Sequence, residues 1–268
     1  MNSRDEIAEI NEKHWQKMVK KGQDFTVPWL DLNPVLIRQY ATGKSEPVPE
    51  PLIDMYPTSV LANVEGKDVL CLASGGGQQS AVFGLLGAQV TVVDIAEGQL
   101  EGDRITAEHY GYEVTTIHAD MRDLSCLADE SFELVYHEQS MAYIPDVRQV
   151  YSEVARVLKI GGLYRVCFAN PATEFVDMED WDGVGYRITR PYAEKSRRRP
   201  DGPIEFRHYL GDIFNGLLAV GLSIQHVQEN PHLQKQNTQA PPGSWAHWLT
   251  YVFASAFAIV ARKANEPT

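Results

Sequence analysis

A glycine-rich turn and a strand-end acid are the residues of this chain whose types and spacing indicate ligand chemistry. The stretch LCLASGGGQQS, residues 70–80, runs from a predicted strand through three consecutive glycines into a predicted helix. Glycines let the backbone approach a ligand closely, and the first turn of a helix offers unpaired N–H groups. Asp94 ends the next predicted strand, 94 − 77 = 17 residues after Gly77, where a carboxylate can accept hydrogen bonds from both ribose hydroxyls. The pattern predicts a nucleotide-type cofactor.

Two kinds of cofactor share this geometry. A dinucleotide site prefers G-x-G-x-x-G, and in GGGQQS the third glycine position is occupied by Ser80. The residues alone therefore leave open an NAD(P)-dependent oxidoreductase and an enzyme that uses another nucleotide-type cofactor. A non-catalytic module that only binds the cofactor is a third alternative.

Strands and helices alternate from residue 66 onward, and this alternation has to position the turn and the acid. Strands are predicted at 68–72, 89–94, 113–118, 133–137 and 162–169, and helices begin near Gln78, Ala96 and Asp146. A helix at 209–221, a strand at 222–229 and a last strand around 253–261 follow. The pattern predicts an α/β fold: a Rossmann-like, seven-stranded, mostly parallel sheet with helices on both faces.

Three other segments surround or interrupt this core. Residues 1–21 predict an amphipathic helix with a capping box formed by Ser3 and Glu6. A proline-rich stretch without clear periodicity follows it. Residues 170–208 are rich in aromatic and turn residues, which indicates a functional insertion in a compact domain. The apolar stretch WLTYVFASAFAIVA, residues 248–261, is interpreted as a buried strand pair.

Residues 66–169 resemble the core of the class I S-adenosylmethionine-dependent methyltransferases. Besides the glycine turn, the resemblance rests on HADMRD at 118–123, FELV at 132–135 and RVLKIGG at 156–162, in the order of the family's motifs. The chain departs from the family at Cys71, where an acid that orients the loop usually stands. It departs again at Ala73, which replaces the first glycine and fits if its φ stays negative.

The resemblance implies S-adenosyl-L-methionine as the cofactor and implies a role for each matching residue. The methionine part would be lined by the backbone of Ala73, Ser74, Gly75 and Gly77. The ribose would be held by Asp94, and the adenine and its edge would contact Ile95, Gln99, Asp120 and Met121. The resemblance also implies methyl transfer, here to a small-molecule acceptor. A related transferase that uses a modified S-adenosyl cofactor remains an alternative.

The loop after the fourth strand is expected to face the transferred methyl group. Methyl transfer mainly requires alignment and exclusion of water, and a general base helps when the acceptor is a hydroxyl or an ammonium. His137 and Tyr143 are the candidate catalytic residues, and His137 is also expected against the cofactor. Structural hydrogen bonding is the alternative for His137, and His208 is a weaker candidate base. The eight histidines are scattered, so no metal site is predicted.

An acceptor pocket is expected where aromatic side chains of the added segments meet. These side chains are Trp15, Phe25, Trp29, Tyr40, Trp181, Tyr186, Tyr192, Trp245 and Trp248. We therefore expect one methyltransferase domain over residues 1–268. It would comprise an N-terminal lid segment (1–65), a cofactor-binding core (66–169), a substrate-cover insertion (170–208) and a C-terminal helix with strands (209–268).

Composition excludes several function classes. The formal net charge of −12 disfavours nucleic acid as a partner, although KSRRRP at 195–200 is locally basic. No apolar run reaches the roughly 18 residues of a membrane span, and the charged first residues do not form a signal peptide. Three cysteines without C-x-x-C spacing fit reduced thiols and a cytoplasmic protein. The oligomeric state is not predicted.

Overall fold

The computed structural model describes residues 5–44, 48–200, 202–229, 239–252 and 256–265. Its strands are β1 (Asp68–Leu72), β2 (Gln89–Asp94), β3 (Val114–His118), β4 (Phe132–His137), β5 (Leu158–Ala169), β6 (Ser196–Arg198), β7 (Ile204–Phe206), β8 (Leu222–Glu229) and β9 (Ala256–Lys263). Its helices are α1 (Glu6–Lys21), α2 (Pro34–Ala41), α3 (Gln79–Leu85), α4 (Glu97–Tyr110), α5 (Val147–Val157), α6 (Leu210–Ala219) and α7 (Trp245–Tyr251).

The central sheet has seven strands in the order β3-β2-β1-β4-β5-β9-β8. Strands β1 to β5 pair in parallel, and β9 pairs antiparallel with both β5 and β8. The chain moves outward from β1 to β3 and then resumes at β4 on the other side of β1. This reversal opens a crevice at the carboxyl ends of β1 and β4, where open α/β sheets bind their ligands. The predicted fold is confirmed.

The core consists of two apolar layers, one on each face of the sheet. Along β1, Val69 and Cys71 pack into one layer with α2 and α3, whereas Leu70 and Leu72 pack into the other with α5 and α6. Alternate strand residues point to opposite faces, so burial on both sides produces the continuous apolar run of the sequence. Cys71 is fully buried in the first layer, where it packs as an apolar side chain.

The N-terminal helix starts later than the sequence predicts. Its N-cap is Asp5, whose carboxylate accepts a hydrogen bond from the Ala8 N–H at 2.9 Å, and it ends at Gly22 in the left-handed conformation. Ser3 of the predicted capping box lies outside the described residues. The proline-rich stretch also contains an unpredicted helix, α2. Asn33 caps that helix and Pro34 occupies its first turn, which are both ordinary start signals.

The interpretation of residues 248–261 as a strand pair is wrong for residues 248–251. Residues up to Tyr251 belong to α7, whose N-cap Ser244 accepts a hydrogen bond from the His247 N–H. The strand β9 is described from Ala256 onward, and residues 253–255, where the last strand is expected to begin, lie outside the described residues. A short apolar run does not distinguish a helix from a strand, and here the serine cap upstream decides it.

The insertion, residues 170–208, forms an antiparallel hairpin of β6 and β7 and an isolated bridge between Trp181 and Tyr186. It lies beyond the carboxyl end of β5, so it stands over the same edge of the sheet as the crevice. Helix α1 packs against both α4 and β7 and thus spans from the glycine-turn side to the insertion. None of the described helices combines the length and apolar character that crossing a bilayer would require.

Candidate functional site

The glycine turn leaves β1 and is anchored to β2 by the Ala73 N–H, which donates to the Val93 carbonyl at 2.8 Å. Ala73 has a φ of 45°, so the expectation of a negative φ at this position is wrong. An alanine in the left-handed region costs about 1–2 kcal/mol relative to glycine. The tightly bonded turn maintains that strain, which is typical of ligand-binding loops.

Helix α4 crosses the glycine turn in backbone contact. A Cβ atom added to Gly102 would lie 2.6 Å from the Gly76 carbonyl oxygen, and one added to Gly77 would collide with the Gly102 carbonyl. The third glycine of GGG is therefore required by packing against α4. The turn is held rigidly between its own strand and this helix.

Asp103 of α4 is a site residue that the sequence analysis missed. Its Oδ1 accepts hydrogen bonds from the Gly77 N–H at 2.9 Å and from the Ser80 hydroxyl at 2.5 Å. The side chain is 1% exposed, and burial raises its pKa to about 7. Asp103 thus supplies a carboxylate to the turn in a chain that has Cys71 at the usual acid position. Its position four residues after Gln99, on the same helix face, is the signal that could have indicated it.

Asp94 stands at the end of β2, as predicted for the ribose-binding acid. Its Oδ1 accepts a hydrogen bond from the Ala96 N–H at 2.8 Å, so the carboxylate also caps the turn into α4. The pKa of Asp94 is raised to about 7, chiefly by burial, with a further contribution from the charge of Asp103. A buried strand-end carboxyl that is poised between its two charge states fits a ligand that donates hydroxyl hydrogen bonds.

The predicted adenine-side residues lie in two neighbouring loops. Ile95 follows Asp94 and is half-buried, and Met121 packs against the core. Gln99 instead lies against the glycine turn, with its Oε1 buried and without a hydrogen-bond partner among the described residues. The carboxylate of Asp120 accepts hydrogen bonds from the guanidinium of Arg122.

Arg122 connects this loop to the N-terminal helix. Its guanidinium donates to the carboxylate of Asp5, the N-cap of α1, at 2.6 and 3.0 Å. The Arg122 side chain is mostly buried, and its two carboxylate partners raise its pKa. Through these ion pairs, Arg122 links Asp5 to Asp120 and holds the start of α1 beside the position expected for the adenine.

The segment after α1 lies directly on the glycine turn. The Gln78 side-chain amide donates to the Asp24 and Val27 carbonyls at 2.7 and 3.0 Å, and the Trp29 N–H donates to the Gly77 carbonyl at 3.3 Å. The Phe25 carbonyl would lie 3.0 Å from a Cβ at Gly75. These contacts place residues 24–29 as a cover over the turn.

His137 is completely buried at the end of β4. Its Nδ1 lies 2.8 Å from the Tyr164 hydroxyl and its Nε2 lies 2.6 Å from the Ser140 hydroxyl. Burial, and then the positive charge of Arg165, lower its pKa to about 3, so the ring is neutral at physiological pH. Both ring nitrogens form hydrogen bonds within the protein. This favours a structural hydrogen-bonding role for His137 over the predicted role as a general base.

Arg165 is a second residue that the sequence analysis missed. It is fully buried, its Nη1 lies 2.9 Å from Glu138 Oε1, and it donates to the Asp54 and Tyr56 carbonyls at 3.0 Å each. Its guanidinium also lies over the Tyr136 ring at 4.5 Å. The residue binds the proline-rich segment to the ends of β4 and β5.

Tyr143 lies in the loop after β4, where its ring meets the edge of Trp15 of α1 at 5.4 Å. Burial raises its pKa well above the ordinary value. His208, the weaker candidate base, is buried with its Nε2 2.8 Å from the Met141 carbonyl, and burial lowers its pKa. Of the candidate bases His137, Tyr143 and His208, Tyr143 lines the cavity that is described next.

That cavity, which we call the insertion cavity, has a volume of about 290 Å³ and lies between the loop after β4, the end of β5, the insertion and α7. Its lining residues include Gln139, Met141, Tyr143, Cys167, Phe168, Ala169, Glu174, Phe175, Asp177, Glu179, Arg197, Arg199, Glu205, Trp245 and Trp248. It adjoins the crevice of the sheet on the β5 side. The site thus has a cofactor half on β1 and β2 and a second half under the insertion.

The aromatic residues expected around the acceptor are distributed over several places. Trp245 and Trp248 line the cavity and stack on each other at 4.9 Å. Trp181 and Tyr186 pack instead with His247 and Tyr251 of α7, and Tyr192 stacks on Tyr209. Trp15 contacts Phe25 as well as Tyr143, whereas Trp29 and Tyr40 join the core layer that contains α2.

Comparison with known proteins relates the chain to methyltransferases. A family model described as "Methyltransferase domain" matches residues 70–166. The chain is 34% identical over 231 residues to the uncharacterized methyltransferase YbaJ of Bacillus subtilis (strain 168), covering 82% of this chain and 89% of that protein. It is 36% identical over 121 residues to demethylmenaquinone methyltransferase of Clavibacter sepedonicus, covering 44% of this chain and 48% of that protein.

A solved structure supports the same fold. The S-adenosylmethionine-dependent methyltransferase of Mesorhizobium loti superposes with a TM-score of 0.61 at 23% identity, covering 79% of this chain and 95% of that chain. The fold and the glycine turn define a nucleotide-cofactor enzyme of the α/β class. The chain belongs to the class I S-adenosylmethionine-dependent methyltransferases.

S-adenosyl-L-methionine is therefore the cofactor, and the nicotinamide alternative is set aside. The site residues fit this cofactor: a rigid glycine turn, the buried strand-end carboxyl of Asp94 and a buried Gln99 oxygen without a partner among the described residues meet in one crevice. No group of three or more His, Cys, Asp or Glu within the described part of the chain could hold a metal ion.

Proposed function

We propose that this methyltransferase acts on a small-molecule acceptor bound in the insertion cavity. The observation that carries the proposal is the position of the cavity beyond the ends of β4 and β5, beside the crevice that receives the cofactor. Its volume of about 290 Å³ suits a metabolite and not a macromolecular chain. The demethylmenaquinone methyltransferase relative, which is named for a small acceptor, supports the same class.

The cofactor contacts are part of the proposal. The backbone of the turn formed by residues 73–77 would line the methionine part, and Asp94 would accept the ribose hydroxyls. Ile95 and the loop of Asp120 and Met121 would enclose the adenine. The contacts of Gln99 support a place beside the turn, where it would meet the cofactor's sugar more readily than its base.

When bound, the cofactor supplies a methyl group on a positively charged sulfur. The task of the protein is to align the acceptor and to exclude water. Residues 24–29 cover the glycine turn, and residues of the insertion line one side of the cavity, so both halves of the site are partly shielded from water. We propose that Tyr143, which faces the cavity, positions the acceptor through its hydroxyl group, because burial raises its pKa and the phenol keeps its own proton at neutral pH. His137 would hold the loop after β4 in place without moving a proton.

The net charge and the cysteines support two further parts of the proposal, namely that nucleic acid is not a partner and that the protein is cytoplasmic. The net charge of −12 opposes binding to nucleic acid. Cys71, Cys126 and Cys167 are free thiols, which fits a reducing compartment such as the cytoplasm.

The test is a screen for S-adenosylhomocysteine release with pooled small metabolites, alongside transfer RNA and protein extracts as rival acceptors. We expect turnover with a metabolite pool and its loss in Ala169→Phe, which fills the cavity. Ala172→Phe places the same ring on an exposed turn of the insertion and should leave turnover unchanged. Turnover with the macromolecular pools alone, or full activity of Ala169→Phe, would overturn the proposal.

A further inference from the structure

Two arginines and two acids in the wall of the insertion cavity neutralise one another. Arg197 lies 2.6 Å from Asp177 Oδ2 and 2.6 Å from Glu205 Oε2. Arg199 lies 3.3 Å from Asp177 Oδ1 and 2.8 Å from Glu205 Oε1. Each of the four carboxylate oxygens thus has one guanidinium partner. The ring is closed and leaves no net charge from these four residues for a ligand.

Two further acids line the cavity outside this ring. The carboxyl group of Glu174 forms no hydrogen bond or ion pair with any residue that the structure describes, although its own backbone carbonyl accepts from Arg207 at 2.8 Å. Glu179 lies at the exposed rim. The charged lining residues therefore sum to an excess of acid. Glu174 is partly buried, and a partly buried carboxyl without a partner is stabilised by protonation or by a nearby cation.

Aromatic rings form the wall of the cavity on the α7 side. The stacked indoles of Trp245 and Trp248 belong to this wall, and the Trp248 Nε1–H is held by the Val176 carbonyl at 3.0 Å. The ring of Phe175 is already used by the guanidinium groups of Arg197 and Arg207, at 4.6 and 4.5 Å from its centre. Indole faces attract cations electrostatically, and a carboxylate beside aromatic rings is a common design for binding organic ammonium groups.

We propose that the acceptor carries a cationic nitrogen, recognised by the carboxylate of Glu174 and the indoles of Trp245 and Trp248. This inference rests on the proposed function, since it concerns the acceptor bound in the same cavity. It assigns Glu174 to recognition and leaves open which atom of the acceptor receives the methyl group.

The charge state of Glu174 makes the binding of a cation in the cavity depend on pH. Burial, and then the negative charge of Glu205, raise the pKa of Glu174 to about 8, against the opposing effect of Arg207 and Arg197. The free carboxyl is thus mainly protonated at pH 7, and a cation that requires the carboxylate binds better as the pH rises. The other charged or titratable groups around it are Asp177, Glu179, Arg199, Tyr143 and, acting on Glu205 from α1, His14. Burial lowers the pKa of His14, so it is neutral over this range.

The experiment uses choline, a permanent cation, and 3,3-dimethylbutan-1-ol, its uncharged carbon analogue. Both are titrated by calorimetry into the full-length protein saturated with S-adenosylhomocysteine. We expect choline to bind at least about fivefold tighter than the alcohol at pH 9, the scale of a cation held by aromatic rings and one carboxylate. Its affinity should rise about tenfold from pH 7 to pH 9, because the ionised fraction of Glu174 rises by that factor about a pKa near 8.

Glu174→Gln should remove both the preference for choline and its pH dependence while S-adenosylhomocysteine affinity stays the same. Glu108→Gln, which removes an equal charge from an exposed position on α4, should change neither. Should Glu174→Gln fail to fold, the comparison of the two probes and the pH series on the unaltered protein decide alone. Equal binding of both probes, or binding of neither, overturns the inference. The proposed function is judged separately, by the metabolite screen and Ala169→Phe.

Discussion

Asp94 and Asp103 are two buried acids whose charges interact, and each holds a different part of the cofactor crevice. Asp94 caps the turn after β2, and Asp103 holds the glycine turn through the Gly77 N–H. Burial raises both pKa values to about 7. At the residue scale, the charge state of the site therefore changes within the physiological range.

We expect Asp94→Ala to weaken S-adenosylhomocysteine binding by roughly 1.5–3 kcal/mol, the range for a hydrogen bond to a charged group. Ribose hydroxyls donate to the carboxylate, so affinity for the unaltered protein should rise with pH up to about 7 and then level off. Calorimetry across this range measures both effects. Asp94→Asn should remove the part of the pH dependence of S-adenosylhomocysteine affinity that Asp94 causes, whereas Glu108→Asn should leave that pH dependence unchanged. A loss below about tenfold would mean that Asp94 only caps the turn into α4.

Asp103→Ala should lower both cofactor affinity and stability, because the Gly77 N–H and the Ser80 hydroxyl would lose their acceptor. A buried polar group left unpaired costs about 1–3 kcal/mol. Asp103→Asn keeps an acceptor oxygen and should bind S-adenosylhomocysteine more tightly than Asp103→Ala. Unchanged affinity in both variants would show that the turn does not need this carboxylate.

The pH dependence of stability gives Asp103 a second test within the same pair of variants. Its pKa is raised on folding, so the folded state binds the proton more tightly than the unfolded state, and stability from this group falls as pH rises from about 4 to about 7. Asp103→Asn lacks that loss. Urea unfolding should therefore show the variant gaining stability relative to the unaltered protein over this pH range, and a constant difference would contradict the assignment.

At the scale of elements, α1 and the segment after it form a cover that is bonded at both ends. Arg122 ties the start of α1 to the loop of Asp120, and Gln78 and Trp29 tie residues 24–29 to the glycine turn. When its side-chain oxygen is assigned to the side of α4, Gln16 accepts hydrogen bonds from the Glu97 and Gly98 N–H groups at 2.7 and 3.2 Å. These contacts all involve the cofactor half of the site.

We therefore predict that the N-terminal segment acts as a lid whose order depends on the cofactor. Limited proteolysis near Gly22 and Gly43 should become slower when S-adenosylhomocysteine saturates the protein, because the bound cofactor stabilises the turn on which the segment rests. Cleavage after Arg187, an exposed residue of the insertion, serves as the internal control. Equal rates near Gly22 and Gly43 with and without ligand would show that the segment only packs against the core.

At the scale of the whole molecule, Arg165 joins three parts of the chain that are distant in sequence. It pairs with Glu138 after β4, belongs to β5 and donates to the carbonyls of Asp54 and Tyr56. We expect Arg165→Leu to lower the free energy of unfolding by about 3–5 kcal/mol, because Glu138 would be left as a largely buried charge without its partner. Urea unfolding measures the loss.

The double variant Arg165→Leu, Glu138→Gln is the control for that prediction. It removes the unpaired charge and should recover part of the stability, although the two carbonyls still lose their donor. A double variant as unstable as the single one would mean that the backbone contacts of Arg165, and not its charge, hold the segment.

The sequence by itself determined the α/β fold, the strand bounds of β1, β2 and β8, the glycine turn and the strand-end acid Asp94. These features depend on neighbours in the chain: apolar runs, turn residues and short spacings within one βαβ unit. The same locality explains the error in α7, where an apolar run of 14 residues fits a strand pair as well as a helix followed by a strand.

Only the tertiary structure decided which polar groups form hydrogen bonds or ion pairs within the protein and which remain available to a ligand. Both ring nitrogens of His137 form hydrogen bonds, one with Tyr164 and one with Ser140. Asp103 accepts a hydrogen bond from the glycine turn, where Cys71 provides no acid. Arg197 and Arg199 form ion pairs with Asp177 and Glu205. Several of these pairings join residues that are distant in the chain: His137 and Tyr164 are 27 residues apart, Asp103 and Gly77 are 26, and Arg197 and Asp177 are 20. Packing selects such partners over separations that no local sequence pattern encodes. For the same reason, only the folded chain shows Glu174 as an acid whose carboxyl has no partner among the described residues.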